Sequence, residues 1–310
     1  MRKNSIDNKP LYNRNFGLVC VSGFLLYATA YAVLLPLMRS GLAADICFPF
    51  VVGIQLAGAF NAWLADKFRR RHVLAYPFAG MLLVAVGYAY ASTPHQYMAL
   101  ALLHGICFGL ATSAALTLSI DVVHTGNRTQ ANMVYAFVSR LGMVVGGTAG
   151  LWLMPLSTYH WLGPVLAGAA GVLAASWMYV PFRAPIGLPV MSNDRYLLVR
   201  ALLPGLNVGI LAFACGMLVL PMQGGMAWLL LLTVLAPWLV RMFVKLSHHC
   251  QRATGNVTFN LFVDAGLLFG VAYAQAVGAF PLWEPFAWMA LAGAMYLCVT
   301  RVYYKKKRVR

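Results

Sequence analysis

Two residues of opposite sign, Arg140 and Asp264, stand where charge is expensive. Each lies deep in a long apolar stretch of a 310-residue chain that has 23 basic and only 7 acidic residues. Arg140 follows Arg128 by twelve positions, so in a helix it lies roughly 18 Å further along the axis at 1.5 Å per residue. That is near the middle of a hydrocarbon core about 30 Å thick. A charge at that depth costs roughly 3 kcal/mol even on insertion scales, so it faces a cavity or an opposite charge. Two readings are open: a cavity-facing pair that binds substrate or couples protons, and a permanent ion pair that holds two parts of the chain together. Gln55, His104 and Asn207 are further polar residues within apolar stretches. Each is a candidate for substrate contact or proton coupling, and each is equally a group that satisfies a neighbouring helix. A second cluster, Asp66, Arg70, Arg71 and Asp121, lies at the ends of apolar stretches. It has the composition of an ion-pair latch, although basic residues there also serve orientation alone.

The elements that position these residues follow from composition. The chain is 61% hydrophobic and 10% charged, with a mean hydropathy of +0.73; a soluble domain is about 25% charged. So few charges cannot cover a water-exposed surface, and the solvent must be largely lipid. Every backbone polar group in lipid must pair internally. Apolar runs of about 20 residues select helices over the alternating ten-residue strands of a barrel. The reading is an all-α, polytopic bundle of about ten helices, near 16–38, 43–65, 73–92, 96–120, 131–154, 160–182, 197–220, 226–245, 256–278 and 284–303. The run Phe16–Met38 is too long for a cleavable signal and reads as the first span.

Charge then sets orientation. With ten spans, 21 of the 23 Lys and Arg residues fall on one side, the exceptions being Arg39 and Arg140. The positive-inside rule makes that side cytoplasmic and places both termini there. The net charge of +16 is thereby explained without nucleic acid. Six cysteines stand singly, with no metal spacing, and His248, His249 and Cys250 lack a fourth ligand, so neither metal nor cofactor is expected. Walker, HExxH and GxSxG patterns are absent, so the chain does not read as an enzyme.

An internal repeat relates two segments 124 residues apart. Arg128 falls on Arg252, Asn132 on Asn256, Tyr135 on Phe259, Gly142 on Gly266 and Gly146 on Gly270; Arg140 falls on Asp264. Each copy is a basic loop leading into a helix with GxxxG, the spacing that lets two helices approach closely. Both enter from the same side, so the repeat is parallel. A Pro-rich stretch, 183–196, separates six helices (1–182) from four (197–310). The repeat register leaves the second set short of two helices, between the seventh and eighth spans.

The loop Asn61–Leu74 (NAWLADKFRRRHVL) resembles the signature loop of major facilitator superfamily transporters, G-x-x-x-D-R-x-G-R-R. Asp66 matches its acid, Lys67 the base that follows, and Arg70 and Arg71 its closing arginines; Ala62 and Arg69 stand where the family has glycine. Asp121 matches an acid that pairs with these arginines, and Gly142–Gly150 (GMVVGGTAG) looks like the glycine-rich fifth-helix motif of the antiporters. The resemblance, strongest to bacterial efflux permeases, implies two bundles that rock about a central site. Its functional expectation is proton-coupled efflux of a small organic solute by alternating access. The alternative is a shortened relative without transport activity, acting as a scaffold or partner subunit. The expected partners are a small-molecule substrate and the lipid bilayer.

Overall fold

A computed structural model describes residues 10–153, 161–180, 187–191, 196–220, 225–248 and 251–307. Its long elements are α1 (Arg14–Leu37), α2 (Ala43–Lys67), α3 (Arg70–Gly87), α4 (Pro94–Asp121), α5 (Arg128–Leu153), α6 (Leu162–Ser176), α7 (Leu202–Val219), α8 (Met226–Leu246), α9 (Arg252–Val277) and α10 (Trp283–Met295). A π-helical segment, Tyr296–Thr300, carries α10 into α11 (Arg301–Lys307). No strand occurs among the described residues, and each expected apolar run contains one helix. The linker expected at 183–196 lies partly outside the described residues, as do His249 and Cys250.

Seven described stretches are long and apolar enough to cross a membrane. The first, Arg14–Lys67, has 54 residues, enough for two crossings at about 20 residues each. It folds back at Gly41, whose φ of 99° suits glycine. The helices α3, with 18 residues, and α6, with 15, are shorter and stand beside longer neighbours. Helix starts follow local rules. Asn13 caps α1 by accepting from the Phe16 N–H at 3.0 Å, and Thr93 with Gln96 forms a capping box at α4.

Close approach of backbones at glycine decides which helices pair. On α5, a Cβ at Gly142, Gly146 or Gly150 would run into the carbonyls of Phe24, Ala28 or Ala32 on α1. Both sets are spaced by four, so one glycine ridge lies along one α1 groove. On α9, Gly266 and Gly270 meet the carbonyls of Gly209 and Phe213 on α7 in the same way. The repeat seen in sequence is therefore a repeated packing unit, α1 with α5 and α7 with α9.

Other contacts extend this correspondence. The pairs α1–α6, α1–α4 and α4–α5 match α7–α10, α7–α8 and α8–α9. The pairing of α4 with α8 agrees with the 124-residue register. Helix α3 packs against both α4 and α6; among the described residues no helix stands in that relation to α8 and α10. Across the middle of the molecule α2 and α4 pack on α9, and α5 packs on α8. By the same correspondence α5–α8 is the counterpart of α4–α9, and it is the more extensive of the two contacts.

Candidate functional site

The facing surfaces of α1, α5 and α9 enclose one polar cluster. Arg140 on α5 forms an ion pair with Asp264 on α9. Both are buried, with relative exposures of 1% and 2%. The repeat puts the two at equal depth, and the glycine ridges draw α5 and α9 each against its own partner helix. Helix α1 adds two hydroxyls: Tyr31 donates to Asp264 Oδ1 at 3.0 Å, and Tyr27 to Oδ2 at 3.4 Å. One turn before Asp264, Asn260 turns its Oδ1 to Arg140 Nη2 at 3.0 Å. The guanidinium lies 4.9 Å from the Tyr27 ring centre and 6.0 Å from that of Phe259, within cation–π range.

The charges cancel, and the remaining hydrogen-bonding capacity is lopsided. Both Asp264 oxygens have donors. Arg140 Nε and Asn260 Nδ2, both donors, are buried without a hydrogen-bond partner. Buried polar groups are ordinarily satisfied, so this cluster has spare donors.

The other candidates are dispersed. His104 is fully buried on α4 between the rings of Phe50 (5.2 Å) and Tyr88 (5.9 Å), and neither ring nitrogen has a hydrogen-bond partner. Asn207 on α7 donates to the Ala292 carbonyl of α10 at 2.6 Å, so it ties two helices together. Gln55 is exposed on α2. At the basic end of the bundle, Arg70 at the start of α3 pairs with Asp121 at the end of α4. Arg71 donates to the Met178 carbonyl at 3.4 Å. Asp66 accepts the backbone N–H groups of Gly187 and Leu188 at 2.9 and 3.1 Å, so it holds the chain between α6 and α7.

The sequence reading missed Tyr27, Tyr31 and Asn260. Their signal was spacing: two tyrosines four apart in an apolar helix, and an asparagine four residues before the buried acid, share a helical face.

No family model matches the chain. Two curated relatives do. The gallate transporter of Pseudomonas putida is 28% identical over 149 residues, 47% of this chain and 31% of that protein. The uncharacterized MFS-type transporter YqjV of Bacillus subtilis (strain 168) is 30% identical over 152 residues, 48% of this chain and 36% of that protein. The match thus spans about a third of the length of these relatives. The crystal structure of the human organic anion transporter MFSD10 (TETRAN) superposes with a TM-score of 0.61 at 17% identity, covering 94% of this chain and 98% of the other. That likeness shows the fold, and the curated relatives add sequence similarity over about half of the chain. The chain is a multi-pass helical membrane bundle with this transporter fold, and over about half of its length its sequence is similar to transporters of the major facilitator type.

Proposed function

We propose that the chain is a secondary transporter of a small organic anion, coupled to protons through Asp264. One observation carries this reading: a buried acid and a buried base neutralise each other at the junction of α1, α5 and α9, with two unpartnered donors beside them. A proton on Asp264 would release Arg140 as an uncompensated cation, which is expensive in a low-dielectric interior. A substrate carboxylate then restores neutrality, taking the guanidinium bidentately together with the Asn260 amide. Proton and anion are bound together, so the sum of their two gradients sets direction. Efflux is the direction taken when the anion accumulates inside. The names of the gallate and organic anion transporters agree with this substrate class.

Alternating access in this proposal requires two rocking units, 1–182 and 197–310, joined by 183–196 and working from the cytoplasmic membrane with both termini inside. Asp66, Arg70, Arg71 and Asp121 would form the inner gate. In this reading the second unit has no counterparts of α2 and α3; no described helix stands to α8 and α10 as α3 stands to α4 and α6. That gap favours a second reading, a relative locked in one conformation that serves as a scaffold.

Reconstitution separates the two. Proteoliposomes holding the full chain, with an imposed inward proton gradient and radiolabelled gallate or benzoate outside, should accumulate the anion. Asp264→Asn should abolish accumulation with insertion intact. A series of aromatic and aliphatic carboxylates that all stay at the level of empty liposomes would leave the scaffold.

A further inference from the structure

A groove of about 410 Å³ opens on the outer face of the second helix set. Asn207, Val208 and Leu211 of α7 form its floor; Leu235, Trp238, Leu239 and Met242 of α8 form one wall, and Met289, Ala292, Gly293 and Tyr296 the other. The lining is apolar except for Asn207 and Tyr296. Its origin is visible in the packing, because α3 fills the equivalent place between α4 and α6 and nothing described fills it here. A Cβ at Gly293 would meet no atom within 4 Å, so the space is open.

The groove lies toward the basic end of the bundle. Met242 is four residues from the end of α8 and Leu235 eleven, so the groove runs from roughly 6 to 16 Å below that end at 1.5 Å per residue. That is the depth of one leaflet, about 15 Å of hydrocarbon. Its mouth is positive. Arg241 lies one turn beyond Trp238, and Arg301 and Lys305 continue α10 beyond Tyr296; all three are exposed. No acid occurs on α7, α8 or α11, and Glu284 is at the far end of α10. An apolar slot one leaflet deep beneath a cluster of arginine and lysine matches a lipid with an anionic headgroup.

We propose that this groove binds an anionic phospholipid, with one acyl chain laid against α7, α8 and α10 and its phosphate at Arg241, Arg301 and Lys305. The lipid takes the place of the missing α3 counterpart and braces α10 against α8. This inference stands apart from transport, since a scaffold would need the same brace.

Native mass spectrometry tests it. Full-length protein is reconstituted with equimolar phosphatidylglycerol and phosphatidylcholine and released into the gas phase. Phosphatidylglycerol should be retained over phosphatidylcholine by at least about tenfold, as expected for several basic groups at an anionic headgroup. Gly293→Trp, which fills the groove, should remove the retained lipid. The surface variant Arg241→Gln/Arg301→Gln/Lys305→Gln should remove the preference for phosphatidylglycerol while leaving the fold untouched, so the proposal is testable even if the tryptophan variant misfolds. Equal retention of both lipids, a preference that survives the triple variant, or a second copy of the chain cross-linking through a cysteine at position 293 would each overturn it.

Discussion

Replacing Arg140 by glutamine tests the central cluster most directly. The substitution strands Asp264, buried at 2% exposure, without its countercharge. Breaking a buried pair by removing one partner costs about 3–5 kcal/mol. The hydroxyls of Tyr27 and Tyr31 still donate to the carboxylate, which offsets part of that loss and points to the lower bound, about 3 kcal/mol. Asp264→Asn should cost less, because Arg140 keeps Asn260 and the Tyr27 ring face. The double variant holds two neutral amides and should recover most of the loss, so the double-mutant cycle should show a coupling of at least about 2 kcal/mol. At roughly 2–4 °C per kcal/mol, Arg140→Gln should melt roughly 6–12 °C below the parent, and the double variant should melt above it. The assay is thermal denaturation of the detergent-solubilised protein, followed by tryptophan fluorescence and by loss of the monodisperse peak on gel filtration. If the two single losses add in the double variant to within about 0.5 kcal/mol, the residues do not act as a pair and the reasoning fails.

Gly146→Val drives a branched side chain into the Ala28 carbonyl. It should cost at least about 3 kcal/mol, the upper range for overpacking, and should separate α1 from α5; a folded, monodisperse protein with unchanged melting would contradict the glycine-ridge account. Asp121→Asn should lower melting by less than about 4 °C, since an ion pair with a partly exposed arginine is worth about 1 kcal/mol or less. It should also speed thiol labelling of a cysteine placed at Ser119, and unchanged labelling would remove the gate role. A phosphatase reporter fused after Arg310 should be inactive if that end is cytoplasmic; activity outside the cell would invert the proposed orientation.

What the sequence determined is what depends on local composition and period. Runs of apolar residues specify membrane helices, because each span satisfies its own backbone in lipid whatever its neighbours are. The 124-residue register put Arg140 and Asp264 at equal depth before any helix was placed, and the glycines in that register named the close-packing faces. The pairing of helices was decided only in three dimensions. Nothing local in α1 announces that Tyr27 and Tyr31 will serve a carboxylate 237 and 233 residues away. That contact arises because α5 and α9 both present their polar faces to α1. His104 and Asn207 have much the same sequence signal as Arg140, a polar group in an apolar span. Packing gave one an aromatic enclosure and the other a carbonyl on α10. The groove between α8 and α10 is likewise visible only in the packing, where no described helix stands to α8 and α10 as α3 stands to α4 and α6, because a cleft is made by neighbours distant in sequence and not by any one segment.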